Sequence, residues 1–324
     1  MKKYSVRKYE PADHQQWDAF IDEAKNATFL FYRGFMEYHS HRFEDFSLLI
    51  FENERLISVF PANRLDTSVY SHQGLTYGGL IYNDIKLGQS IEILRNLLIF
   101  LELNGIQRLH IKLIPTIYHR RPADEMNYGL FLAQAQRTRT DTLSVVDMKK
   151  TTAITTTRKQ SIRRGVECGL EIRGDDNFDL FWNTILIPNL AEKHGAKPVH
   201  SIAEIQLLHS RFPENIRQFN VYNGNKIVAG TTIFVSENVA HAQYISADAD
   251  KNKLGSLDYL HHHLLTAVFH EKDFFDFGIS NEDEGTKLNS GLLFWKESFG
   301  ARTITQDFYV VPTANYKLLE NVLI

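Results

Sequence analysis

The residues of this 324-residue chain whose types could do chemistry gather in its second half. Asp276 lies inside the apolar run Asp273–Gly278 (DFFDFG). Strand alternation puts Phe274, Asp276 and Gly278 on one face and Phe275 and Phe277 on the other. A carboxylate in such a strand is expensive unless paired. Asp276 is therefore either a site residue or a buried hydrogen-bond acceptor. Lys296 stands beside Trp295 in the segment Leu288–Phe299, whose stripe of Leu292, Trp295 and Phe299 reads as a helix with a buried face. Its ammonium either points into a cleft, where it would stabilise phosphate or an oxyanion, or faces solvent on the opposite side. The acidic run Ser280–Gly285 (SNEDEG) offers Glu282 as a carboxylate base, with a solvated loop as the alternative. No Gly-x-Ser-x-Gly elbow is present, so no covalent nucleophile is expected.

Two glycine turns and one basic stretch complete the set. Lys253-Leu254-Gly255-Ser256 precedes a helical segment. Ser256 would cap that helix, and Gly255 would allow a close main-chain approach. If the turn binds phosphate, Lys251 and Lys253 add charge. Tyr77-Gly78-Gly79 either marks a close backbone approach to substrate in a cleft between domains or is a loop needing positive φ. Between Lys149 and Arg173 lie seven Lys or Arg residues, including Arg158, Arg163 and Arg164, against two glutamates. Ile162 and Val166 share a helical face there. This stretch either meets an anionic substrate or is a solvated amphipathic helix. His261, His262 and His263 are consecutive and point to different helix faces, so no metal site is expected. Asp258 and His262 are spaced to pair on a helix surface.

The elements that must position these groups occur in one order, twice. In the first half, a strand (Tyr4–Lys8) precedes a helix with Trp17, Phe20 and Ile21 and a second helical stretch near Gly34–Arg42. A hairpin (Phe46–Phe51 and Leu56–Asn63), a helix (Ser90–Gly105), a strand (Ile106–Ile114), a further helix and a closing strand (Thr142–Met148) follow. The second half reads strand (Leu170–Arg173), helix (Phe178 to Ile185) and helix (Ile202–Ser210). A hairpin about Asn223-Gly224-Asn225, a strand (Val239–Ser246), a helix (Ser256–Glu271) and a strand (Asp273–Gly278) come next. A helix (Leu288–Phe299) and a closing strand (Arg302–Val311) end it. Corresponding landmarks sit 165 (Trp17 to Trp182), 171 (Phe46 to Arg217), 166 (Ser90 to Ser256) and 162 (Thr142 to Ile304) residues apart. Offsets this close argue for a duplicated domain. The expectation is an α/β (mixed α+β) chain. Domains at 1–150 and 151–324 would each hold a mostly antiparallel mixed sheet flanked by helices.

The order of each half resembles the GNAT acyltransferase fold. Two such units in one chain resemble the Fem-type aminoacyltransferases and CelD-like acyltransferases. The specific motifs are Arg158–Arg173 (RKQSIRRGVECGLEIR), Asp248–Ser280 and Gly291–Ala301 (GLLFWKESFGA). The last is similar to the family's Gly-x-x-x-Phe-Lys-x-x-Phe-Gly element, with Trp295 where phenylalanine is commoner. The resemblance implies acyl transfer from an activated donor to an amine, with the donor in the second domain. It places Lys253, Gly255 and Ser256 where GNAT domains cradle a pyrophosphate at a helix start. Leu257 stands where the second small residue belongs. It also places Tyr244 where GNAT strands splay around the acyl group. There Tyr244 would donate to a leaving group, or simply pack. Acyl-CoA is the expected co-substrate, with no permanently bound cofactor, and a cell-envelope sugar or peptide amine is the expected acceptor. Aminoacyl-tRNA is the alternative donor, met by the basic stretch, although no long charged heptad arm is visible. A catalytically decayed binding module is the other reading.

Composition bounds these expectations. With 36 Lys and Arg against 39 Asp and Glu, the net charge is −3. A general polyanion binder, and hence a DNA-binding protein, is not expected. The lone Cys168 excludes a disulfide scaffold or a four-cysteine zinc module. No run of 18 apolar residues suggests a bilayer span, and MKKYSVRKYE lacks the apolar core of a secretory signal. The expectation is a cytosolic chain, with work at the inner membrane face left open.

Overall fold

The computed structural model describes residues 3–150 and 153–322. Thr151 and Thr152, at the expected domain boundary, lie outside them, as do the first two residues of the stretch read for a signal. The chain divides into two compact units, Met1–Asp141 with Thr305–Ile324, and Thr142–Ile304. Both are mixed α/β, with antiparallel and mixed sheets flanked by helices.

In unit 1 the strands Tyr4–Lys8, Leu48–Glu52, Arg55–Phe60 and Ile81–Tyr82 form an antiparallel sheet in that order. Its hairpin turns at Asn53 (φ 48°) and Glu54 (φ 70°). Two residues of positive φ match the right-handed strand twist, and asparagine tolerates that region well. The helix Leu87–Leu103 lays Ile91, Leu94, Leu97, Leu98 and Leu101 into the core. A second group of strands includes Arg108–Lys112, parallel to Ser68–Tyr70 and antiparallel to Phe308–Pro312.

That last pairing departs from the sequence expectation. The strand at Arg302–Val311 was to close the second half, yet Phe308–Pro312 pairs in unit 1. Reciprocally, Leu143–Asp147 was to close the first half, yet it pairs with Phe274–Ile279 in unit 2. Alternation marks a strand but not its partner. The boundary expected after residue 150 accordingly falls inside unit 2.

Unit 2 is built on the strands Glu171–Arg173, Ile216–Asn223, Lys226–Val235, Val239–Ala247 and Phe274–Ile279, with Leu143–Asp147 last. Gly224, at φ 59°, supplies the hairpin turn. All neighbours are antiparallel except Val239–Ala247 and Phe274–Ile279. These two run parallel for only three residue pairs, Val239 with Phe274 to His241 with Asp276. Beyond that point the first strand bulges, between the positions facing Thr232 and Ile233. The second turns at Gly278, whose φ is 72°, and shifts register against Leu143. Neither strand can then follow the other, so the sheet opens.

One face of this sheet carries the core of Val221, Ala240, Ala242, Phe275 and Phe277. The helix Ser256–His263 covers it, and the helix Thr156–Glu167 packs on that helix. Glycines set their close approach. A Cβ at Gly165 would fall 2.5 Å from the Tyr259 Cβ, and one at Gly255 would fall 2.1 Å from the Ser161 carbonyl oxygen. The expected stripe on the first helix is thereby turned. Ser161, Ile162 and Gly165 face inward, and Val166 is 60% exposed. The helix expected to run from Ser256 to Glu271 ends its regular part at His263 and continues as a wide turn. The Phe269 N–H donates to the Leu264 carbonyl there. The segment expected at Leu288–Phe299 is helical over Ser290–Glu297.

Gly255 adopts φ 68° and also ends the short helix Lys251–Leu254. Gly255→Ala is expected to destabilise the protein by roughly 1–3 kcal/mol, through backbone strain and the Ser161 clash together. The denaturant midpoint reads this. An unchanged midpoint would mean the two helices do not need the glycine.

Candidate functional site

The opening between the parted strands of unit 2 holds a pocket of about 570 Å³. Ile245, Ser246 and Ala247 form one wall, and Glu282 and Asn289 stand beyond the end of the other strand. Leu186, Leu190, Leu257, Leu292 and Trp295 make much of the lining apolar. Asn189 braces the first wall, its amide donating to the Ser246 hydroxyl (2.8 Å) and the Ala247 carbonyl (2.7 Å).

The floor carries a buried charge pair. Arg158 Nη1 donates to Asp258 Oδ2 at 2.5 Å, and both side chains are nearly inaccessible. Trp295 Nε1 donates to the other oxygen, Asp258 Oδ1, at 2.8 Å. Arg158 Nε donates to the Ser298 hydroxyl at 2.8 Å, and the guanidinium lies over the Phe299 ring. Both Asp258 oxygens and two of the Arg158 nitrogens have partners, which lowers the cost of burying the charges. This overturns two sequence expectations. Asp258 is not a surface partner of His262; it is buried and bonded across 100 residues of chain. Arg158 belongs to the pocket wall rather than to an open basic patch.

The remaining basic residues are spread among structural contacts. Arg164 folds back on Ser161 and the Asn252 carbonyl. Lys149 pairs with Asp273, Lys150 with Asp147, and Arg173 with Glu171. Lys159 and Arg163 are exposed.

Lys296 is neither solvated nor on the pocket wall. It is 2% exposed and donates to the carbonyls of Gly278 (3.0 Å) and Ile279 (2.6 Å). Burial pulls its pKa down to about 8, opposed by the charge of Asp276. Asp276 is fully buried and takes the acceptor role. Its Oδ1 accepts the Gly278 N–H at 2.7 Å, and its Oδ2 faces His241 Nδ1 at 2.9 Å. The two residues the sequence singled out therefore meet at one turn, gripping it from opposite polarities.

Glu282 is exposed at the pocket edge, one oxygen accepting from the Asn289 amide at 2.9 Å. Tyr244 is turned away from leaving-group chemistry. Its hydroxyl meets His200 Nδ1 at 2.7 Å, its ring packs edge-on against Trp182, and burial raises its pKa to about 12. Gly255 makes its close approach to the Ser161 carbonyl, leaving no such space for a ligand there. Ser256 is the first residue of its helix rather than the cap, fully buried, with its hydroxyl unbonded among the described residues. Lys253 is exposed, and it is Lys251 and Asn252 that reach the pocket. In unit 1, Tyr77 is core. It packs on Tyr118 and Phe31 and donates to Thr28. Gly78 is pressed against the Ser71 carbonyl, which explains the glycine without a substrate. Sequence reasoning passed over His241 and Asn189. The only signal for His241 was a titratable residue between two alanines in an apolar strand.

Among the described residues no group of three or more His, Cys, Asp or Glu could hold a metal ion, and no helix is long and apolar enough to cross a membrane. Residues 154–285 match the family model described as acetyltransferase (GNAT) domain. That span contains the Arg158 helix, the parted strands and Glu282. No curated protein matches the chain. Among solved structures, FemX is similar over 98% of this chain and 100% of its own, at 10% identity and a TM-score of 0.66. L-PGS from Bacillus licheniformis is similar over 94% of this chain and 92% of its own, at 10% identity and a TM-score of 0.59. Likenesses at such identity carry the fold. The family match over 154–285 lies within unit 2, which is thereby a GNAT-type acetyltransferase domain by its sequence.

Proposed function

We propose that unit 2 binds an acyl-CoA in the opening between its parted strands and transfers the acyl group to a primary amine. The observation that carries this reading is the pocket itself. Its lower walls are the strand end Ile245–Ala247 and the helix bearing Leu292 and Trp295. A thioester arm needs an apolar slot with main-chain and amide partners along it. The strand edge left unpaired after His241, with Asn189 beside it, offers both. Lys251 and Asn252 stand at the pocket where the arm would leave for its phosphates. The glycine turn contributes by packing two helices rather than by cradling pyrophosphate, so charge at Lys251 carries more of that task.

Lys296 enters as a positioning residue. Its ammonium holds the main chain at Gly278 and Ile279 and so fixes where the second strand ends. Glu282 and Asn289 border the same pocket, where the acceptor amine would approach. A cell-envelope sugar or peptide amine remains the proposed acceptor on the family resemblance alone.

Calorimetry with acetyl-CoA is expected to give saturable binding. Leu292→Trp should weaken that binding at least about ten-fold, because Leu292 lines the pocket and is 39% exposed, so the larger ring fills the slot without burdening the core. The melting temperature should hold. No heat with the parent protein, or full binding by the variant, would refute the pocket as donor site.

A second reading, an aminoacyl-tRNA donor, draws on Lys159 and Arg163, exposed on the helix Thr156–Glu167. It requires a salt-dependent affinity for an acceptor-stem RNA that drops on Lys159→Glu with Arg163→Glu. Two lost phosphate contacts should flatten the salt slope by about 1.4–1.8. Binding that is absent, or indifferent to salt and to both changes, leaves the thioester reading alone.

A further inference from the structure

His241 and Asp276 form a carboxylate–imidazole pair at the last point where the two parallel strands of unit 2 still touch. Asp276 cannot turn away. It is fully buried and tied through Oδ1 to the Gly278 N–H. With a carboxylate as its partner, the neutral His241 ring holds its proton on Nδ1 and presents Nε2 as a lone-pair acceptor. Nε2 forms no hydrogen bond among the described residues, and the side chain keeps 13% of its surface open. Gly278 closes on the ring from the other strand, where a Cβ would stand 3.3 Å from His241 Cε1. A structural histidine in a sheet has no need of this arrangement. A neutral residue would fill the space without a buried anion.

The position matters as much as the geometry. At ~3.3 Å per residue, His241 lies roughly 15 Å up the strand from the Ser246 wall of the pocket. His241 and Asp276 lie outside the residues that line the pocket, and an extended thioester arm running from Lys251 past Ile245 would carry its carbonyl on along the strand towards this pair. Glu282, by contrast, stands exposed at the mouth with one oxygen committed to Asn289. We propose that His241, oriented by Asp276, is the general base of the transfer; this rests on the donor reading above. Nε2 takes a proton from the acceptor ammonium. The freed amine nitrogen forms a bond to the thioester carbonyl carbon, the C–S bond breaks, and the second amine proton leaves with the thiolate as the free thiol. The imidazolium returns its proton to solvent.

The test follows thiol release from acetyl-CoA with two acceptors at pH 7.5. Ethanolamine is an ammonium at that pH and needs a base, whereas hydroxylamine is already neutral and does not. His241→Gln is expected to lower kcat with ethanolamine about 10²–10⁴-fold. With hydroxylamine it should stay within about three-fold of the parent, and acetyl-CoA affinity by calorimetry should be unchanged. Asp276→Asn, which frees the ring to turn, should show the same split more weakly. Equal losses with both amines would make His241 structural, and no loss with either would remove it from the reaction. Absence of acetyl-CoA binding by the parent protein would overturn the donor reading itself, and the role of His241 with it.

Discussion

The architecture of unit 2 depends on how the chain is held at Gly278. Asp276 accepts that residue's N–H, and Lys296 donates to its carbonyl and to that of Ile279. A strand would ordinarily satisfy these groups with a neighbouring strand. Here two charged side chains satisfy them, so the sheet can end inside the domain without orphaned backbone. The pairing with Leu143 shifts, the pairing with Val239–Ala247 stops, and the space between the strands becomes the pocket. Both charges are buried, and an isolated buried ion costs several kcal/mol. What offsets the cost is that each ion has short hydrogen bonds and the two bear opposite sign. Burial still pulls the Lys296 pKa down to about 8.

The pocket floor uses the same principle with different parts. Two glycines let the helices Thr156–Glu167 and Ser256–His263 approach until Arg158 and Asp258 meet. Larger residues at either position would separate the helices and leave Asp258 buried without its guanidinium. Trp295 completes the pair from a third helix. An aromatic N–H is the only polar group tryptophan has, so this contact fixes the ring as well as the carboxylate. The pocket wall is therefore fixed in this arrangement by charges that need specific partners. Its apolar lining alone would allow several packings.

Local features of the fold were legible in the sequence, and distant ones were not. The hairpin at Asn223-Gly224 and the helix with Ile91, Leu94 and Leu98 follow from turn chemistry and period, and the structure contains both. Trp17 and Trp182, the landmarks of the repeat, are fully buried in their own units. The cost of a carboxylate in DFFDFG correctly marks Asp276 as paired, but the choice of partner needs His241 on another strand. Gly255 reads as a phosphate turn because glycine is equally required by a ligand and by a neighbouring helix. Only the Ser161 carbonyl decides between them. Asp258 fails for the same reason. Its near neighbour His262 is visible in the sequence, whereas Arg158 stands 100 residues away. The exchange of closing strands between units lies wholly beyond a pattern that names faces and not neighbours.

The basic stretch shows how far charge counting can mislead at short range. Arg158 is spent on Asp258, Arg164 on Ser161 and Asn252, and Lys149, Lys150 and Arg173 on nearby carboxylates. The exposed pairs among these contribute little to stability, roughly 0–1 kcal/mol each. They lower the net charge of the stretch, while on its helix Lys159, Arg163 and Arg164 have no carboxylate partner among the described residues. The positive charge left on this helix acts at short range, its field fading within about 8 Å at physiological salt. On the proposed donor reading, recognition then rests on contacts inside the opening. Shape comes from Leu186, Leu257 and Leu292, direction from Asn189 and the strand edge, and charge from Lys251. On that reading the site selects by the fit of the thioester arm in its slot, with Lys251 left to meet the donor's phosphates. That is the ground on which a thioester donor is proposed ahead of an RNA-borne one.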